Sequence, residues 1–169
     1  QDNVFGSGNY LGIEVNTSRS ARNLVLSTAD PYFTIDGISR SVELAYRTSR
    51  PLYSSAITSE ISDSYSIATP SASALFGVPF SEYDTVFFGI GIERTTISGD
   101  RYLPQAYYFY RDKFGPSSTS LPLTLGWARD SRDSLIAPTS GRYQRVNVDW
   151  SIAGDVRYLR TNLQYQQYV

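Results

Sequence analysis

The chain has 169 residues, enough for one ordinary domain, and a formal net charge of −1 with acidic and basic residues scattered, so it carries neither a nucleic-acid footprint nor a polybasic membrane patch. It has no cysteine and no histidine, which removes disulfides, zinc sites with ordinary ligands and every Ser-His or Cys-His catalytic pair. An aromatic share of 14%, with 14 tyrosines, beside a slightly negative mean hydropathy suits segments in which apolar and polar residues alternate.

From residue 9 to 17, Leu11, Ile13 and Val15 alternate with Gly12, Glu14 and Asn16, the period of a strand with one apolar face. After a polar turn over 19–22, Leu24, Leu26 and Thr28 alternate with Val25 and Ser27 until Asp30-Pro31, where proline cannot donate to a ladder. Beyond Gly37, Ile38, Val42, Leu44 and Tyr46 share a face opposite Ser39, Ser41, Glu43, Ala45 and Arg47; Arg40 interrupts the apolar side near a turn, where its stem can snorkel. Residues 51–58 read as a loop, and the next strand is expected over 61–80, with a bulge at Pro70 and Ala74, Phe76, Val78 and Phe80 on one face. Ser81-Glu82-Tyr83-Asp84 reads as a tight turn, followed by Val86, Phe88, Ile90 and Ile92 against Phe87, Gly89, Gly91 and Glu93, with Phe87 the exception on the polar side. The connection 98–120 is rich in tyrosine and phenylalanine, including Tyr102, and its 105–113 part is expected to form a short helix. Three strands complete the series: Leu121 to Trp127, Val146 to Ile152 and Leu159 to Tyr165, which makes about eight.

No window approaches the ~18 apolar residues of a helical span. The alternating segments run ~10 residues, the length a tilted strand needs to cross a bilayer, whereas soluble strands average ~5 to 6. Aromatic residues collect at the expected strand ends (Tyr10, Tyr32, Phe33, Phe80, Tyr83, Tyr143, Tyr158 and Tyr168), where amphipathic rings form interfacial girdles. Connections over 31–37, 81–84 and 136–141 are compact and those near Pro51 and over 98–120 extended, the pattern of short periplasmic turns and longer outer loops. The fold class is therefore all-β, an antiparallel transmembrane β-barrel wall, with Leu11, Leu24, Leu26, Leu44, Ile90, Leu125, Val148 and Leu163 expected to face lipid.

No constellation rises to an active site. Gly89-Ile90-Gly91 lacks the third glycine of a dinucleotide loop and sits mid-strand, so it reads as small residues on a crowded inner face. Asp130-Ser131-Arg132-Asp133, beside Arg129, offers two carboxylates for acid-base work or a cation, against the plainer reading of a strand end pairing its own charges. Asn16-Thr17-Ser18 matches a glycosylation acceptor, a pattern that arises often by chance. Glu14, Glu43, Arg47, Glu93, Arg145 and Asp149 fall on polar strand faces, the lumen side of a barrel.

Asp30-Pro31-Tyr32-Phe33-Thr34-Ile35-Asp36-Gly37 resembles a turn of the BamA family, "(D/N)PYF-x-x-DG", and Asp2-Asn3-Val4-Phe5-Gly6-Ser7-Gly8 is similar to a second, with Val4-Phe5 replacing the family's aromatic-leucine order. Arg129-Asp130-Ser131-Arg132-Asp133 followed by Pro138-Thr139-Ser140-Gly141 resembles the family's "RD-x-R-D … P-T-x-G" strand and turn, and 103–115 is like its aromatic fourth outer loop. The resemblance implies about strands two to ten of a sixteen-stranded barrel in the bacterial outer membrane. It further implies an assembly factor that folds and inserts β-barrel proteins, with no reaction and no cofactor. The implied partners are outer-membrane lipids, unfolded outer-membrane protein clients and, through periplasmic domains, accessory lipoproteins. Residues 1–169 are accordingly expected to be a fragment of one barrel domain, without POTRA repeats, terminal barrel strands or a leader (the chain starts at Gln1), and unable to insert clients alone. The alternatives are the related TamA or two-partner-secretion translocation barrels, a free-standing eight-stranded pore or structural barrel, and a soluble sandwich. Missing pairing between first and last strands counts against the free-standing barrel.

Overall fold

The period-two alternation is realised as long antiparallel strands in a computed structural model, which describes residues 8–50, 52–54, 61–63, 65–99, 103–134 and 136–169. The elements are β1 (Tyr10–Thr17), β2 (Ala21–Asp30), β3 (Ser39–Ser49), β4 (Leu52–Ser54), β5 (Ile61–Asp63), β6 (Ser66–Pro79), β7 (Asp84–Ser98), α1 (Gln105–Phe114), β8 (Ser117–Asp130), β9 (Gly141–Gly154) and β10 (Leu159–Tyr168). Eight of them form one sheet in the order β1-β2-β3-β6-β7-β8-β9-β10, every neighbour antiparallel, while β4 and β5 pair as a separate ribbon. Among the described residues no pairing joins β1 to β10, so the sheet is an open wall and not a closed eight-stranded barrel.

Two expectations are corrected. The strand expected over 61–80 is divided: β5 turns away to pair with β4, and β6 alone enters the wall. Pro70 makes no bulge. It lies opposite Tyr46 in an unbroken β3 ladder, and on the β7 side the rungs stop at Ala68↔Thr96 and resume at Ser71↔Glu93 in the same register. Proline removes a donor without adding a residue, so rungs are lost and register kept. The bulge lies instead at Leu121/Pro122, where the β9 register skips Ile152.

Register propagates one face through the whole sheet, because paired residues point the same way. The rows Ile13↔Leu26↔Leu44↔Ala72↔Ile92 and Val86↔Trp127↔Val146↔Leu163 are apolar, whereas Glu14↔Val25↔Ala45↔Ser71↔Glu93 and Gly126↔Asn147↔Asn162 are mixed or polar. There is no second layer: among the described residues the buried hydrophobic side chains are only Ala45, Ile97, Leu103 and Ala128, while large apolar groups stand exposed along the strands. A sheet that leaves its apolar face uncovered requires an apolar surround.

The strand ends joined by the short β2–β3, β6–β7 and β8–β9 connections share one edge of the wall, and those joined by the β3–β6 and β7–β8 connections share the other. The division into short and long is not clean, because the brief turns 18–20 and 155–158 lie on the same edge as the long loops. Of the aromatic residues expected at strand ends, all but Tyr158 border the short-turn edge.

Candidate functional site

Leu11, Leu24, Leu26, Leu44, Ile90, Leu125, Val148 and Leu163 all lie on the apolar face by register. Six are exposed, from Leu26 at 41% to Leu163 at 76%, and Leu11 and Val148 are half-buried. The alternation is sharpest in β2, where Leu24, Leu26 and Thr28 are exposed and Asn23, Val25 and Ser27 half-buried.

The opposite face is crowded by design of its small residues. A Cβ on Gly89 would come within 2.8 Å of Leu75 Cδ1 and 3.1 Å of Thr124 Cβ, and one on Gly91 within 3.2 Å of the Pro122 ring. Gly89-Ile90-Gly91 thus has the packing role its mid-strand position suggested. Phe87, the apolar intruder, lies between Gly77 and Gly126 in the ladders, and its ring fills the space that neither glycine occupies. Arg145 sits over that ring at 5.4 Å. Nearby, Asp149 accepts from Thr124 Oγ1 at 2.8 Å and from Arg160 Nε at 3.3 Å, and Glu43 pairs with Arg47 at 2.9 Å. These charges neutralise one another across a face that leaves a recess of about 270 Å³ between Phe87, Gly89, Arg145 and Asn162. Among the described residues no cluster of three or more acidic side chains suits a metal ion. The Phe87 arrangement was readable only by counting register outward from two turns.

The two motif turns lie on the short-turn edge. In the first, Asp30 Oδ1 accepts the Tyr32 amide at 3.1 Å, Thr34 Oγ1 accepts the Ile38 amide at 3.2 Å, and Gly37 takes φ 82°, where a side chain would be strained. Phe33 leans back on Phe76 of β6 (6.2 Å, tilted) and carries the Arg40 guanidinium 4.2 Å above its ring. Pro31 stops β2, and Tyr32 and Ile35 point outward, 81% and 105% exposed. Asp36 is exposed, and no shared centre joins it to Asp30.

In the second turn, Arg132 grips Asp130 with two bonds, Nε to Oδ1 at 2.9 Å and Nη2 to Oδ2 at 2.7 Å, and lies over the Tyr143 ring at 4.9 Å. Asp133 reaches across the loop. It accepts the Thr139 hydroxyl and the amides of Thr139 (2.9 Å) and Ser140 (3.1 Å), which pull its carboxyl down to about 2. Gly141 closes the loop at φ 110°, where a Cβ would run into the Ser131 carbonyl. Pro138 precedes Thr139 within this loop. Arg129 pairs with Asp84 at 3.6 Å, and Asp84 also accepts from Trp127 Nε1 at 3.1 Å. Asp130 and Asp133 thus each have their own donors, Arg132 for the one and Thr139 and Ser140 for the other, and both brace the turn. The 2–7 motif, Pro51, the 55–60 part of the loop near it and Tyr102 lie outside the described residues.

On the long-loop edge the expected helix is present as α1, and Tyr110 bonds to the buried Ser118 of β8 on the polar face. Leu103 and Ile97 are buried in the same region, and Tyr107 tilts against Tyr65 at 5.6 Å. Through Tyr110, α1 is tied to the polar face and not to the apolar one.

An Omp85 superfamily domain model matches residues 3–169. The outer membrane protein assembly factor BamA of Neisseria meningitidis serogroup B is 30% identical over 162 residues, covering 91% of this chain and 20% of that protein. The chain thus spans about a fifth of that curated relative. The crystal structure of BamA from Haemophilus ducreyi lacking POTRA domains 1-3 superposes with a TM-score of 0.73 over 98% of this chain and 32% of that one; at 24% identity it speaks for the fold alone.

Proposed function

The chain belongs to the Omp85 superfamily, and on that premise we propose that the protein whose barrel wall it forms folds other β-barrel proteins and inserts them into the membrane. It lies in the bacterial outer membrane, as members of the family do. The observation that carries the proposal is the 30% identity to an outer membrane protein assembly factor along 91% of the chain. The retained turn motifs add to it. The apolar face meets lipid, with the eight aliphatic positions toward the hydrocarbon. The work requires no chemical step and no cofactor: clients arrive unfolded, and accessory lipoproteins engage the protein through periplasmic domains.

Wall height supports a physical route. The eight-residue β1 rises ~27 Å along its axis, or ~20 Å vertically at a tilt near 45°, against ~36 Å for the fifteen-residue β7. A hydrocarbon band of ~25 Å is under-spanned by strands as short as β1, and a bilayer thinned beside such strands opens to a client at lower cost.

The test is client folding by the full-length protein in liposomes, read by heat-modifiable gel migration and protease resistance. Faster acquisition of a folded client in the membrane than in empty liposomes is expected. A client delivered unfolded into the vesicle lumen would instead assign translocation, as in the TamA or two-partner-secretion barrels, and would overturn the assembly reading.

A further inference from the structure

Arg40 stands on the apolar face, one position from the short-turn edge of β3, with its guanidinium stacked on Phe33. Arginine is tolerated on a lipid-facing wall only near the interface, so this residue marks headgroup level. Directly opposite it in the β2–β3 ladder is Asp30, whose Oδ1 is held by the Tyr32 amide. Among the described residues' ion pairs, none joins these two charges. Stacking occupies one face of the guanidinium and leaves its in-plane donors for a planar pair of oxygens.

The wall is hollowed on the membrane side of this pair. The next two rows are Val42↔Ala74↔Ile90 and Leu44↔Ala72↔Ile92, alanines flanked by larger side chains. They leave an apolar recess of about 340 Å³ along β6, reaching Leu121. Each row lies ~7 Å further along the strand, or ~5 Å deeper at a tilt near 45°. The recess is therefore ~5 to 10 Å below the Arg40 guanidinium, inside one leaflet of the ~25 Å hydrocarbon band.

We propose that Arg40, Asp30 and this recess bind one glycerophospholipid with a zwitterionic, ammonium-bearing headgroup. The phosphate sits on Arg40, the ammonium on Asp30, and one acyl chain lies over Ala74 and Ala72. Charge complementarity selects this lipid, since a purely anionic headgroup satisfies Arg40 but meets the Asp30 carboxylate. The site rests on the reading that the apolar face meets lipid.

Native mass spectrometry of the full-length protein in detergent, titrated with phosphatidylethanolamine and separately with phosphatidylglycerol, tests it. One retained phosphatidylethanolamine should be weakened about tenfold by Arg40→Gln, the loss of one charge-assisted contact. Ala74→Leu, which fills the recess, should weaken it similarly while the heat-modifiable band stays intact. Asp30→Asn, which keeps an acceptor for Tyr32, should erase the preference over phosphatidylglycerol. Retention unchanged in both Arg40→Gln and Ala74→Leu overturns the site, and equal wild-type retention of the two lipids overturns its headgroup assignment. Leu26→Arg, measured for barrel stability in bilayers, separates the two levels: no loss there sinks the lipid-face reading itself, whereas a loss there beside unchanged lipid retention in Arg40→Gln and Ala74→Leu sinks only the site.

Discussion

The two faces of the wall are made from the same strands, residue by residue, yet they are held to different standards. On the outer, apolar face side chains need only share polarity, and many stand open: Leu26, Phe88, Trp150 and Ile90 are 41% to 58% exposed. On the inner face they must fit one another: Gly89 leaves room for Leu75 and Thr124, Gly77 and Gly126 for Phe87, and Glu43 pairs with Arg47 and Asp149 with Arg160. One face is specified by polarity and the other by shape. Substitutions that change polarity should thus separate from substitutions that change volume according to the face they strike.

The largest separation is expected from a charge. Leu26→Arg should lower the stability of the refolded barrel in bilayers by ~2–4 kcal/mol near the midplane, whereas Ser27→Arg, one residue on and opposite Glu43 in the ladder, should change it by less than about 1 kcal/mol. Equal losses in chemical unfolding would dissolve the distinction between the faces. Volume should reverse the order. Gly89→Val should cost ~1–3 kcal/mol through overpacking against Leu75, Thr124 and the Ala74 carbonyl. Thr28→Val on the exposed outer face should stay within about 0.5 kcal/mol. Phe87→Ala, which uncovers two glycines and the Arg145 stack at a half-buried position, should cost about 1 kcal/mol by the same measurement.

The outer face was legible in the sequence because polarity is a per-residue property with period two; each of the eight aliphatic positions fell on one side without knowledge of any partner. Shape is not a per-residue property. Phe87 read as an error of alternation until the ladders placed it between two glycines from β6 and β8, residues far apart in the chain. Pro70 was misread for a related reason. A proline in an interior strand signals a disturbed ladder, but whether it inserts a residue or drops a rung depends on both neighbouring strands, and here both keep register. The division of 61–80 likewise turned on a pairing partner, β4, that local pattern does not name. Turns were easier: proline and positive-φ glycine positions mark 31–38 and 131–140 locally, though not which donor each carboxylate would take.

The edge joining the faces should answer to pH, and with the smallest effect, since Asp133 lies in an exposed turn. Its folded-state carboxyl is held at about 2, first by the Thr139 hydroxyl and then by the Ser140 and Thr139 amides, against an ordinary value near 4 in the unfolded chain. Above about pH 4 the group is ionised in both states and its bonds contribute fully. Between about 4 and 2 the unfolded chain binds the proton first, so stability falls as pH falls, and below about 2 the contribution is gone. Asp133→Asn, which keeps an acceptor but cannot ionise, should flatten this part of the acid profile without moving stability's response to Leu26→Arg. Urea unfolding of both proteins at intervals from pH 5 to pH 2 measures it. Parallel acid profiles would mean that the turn is held by backbone geometry and Gly141, with the carboxylate a bystander.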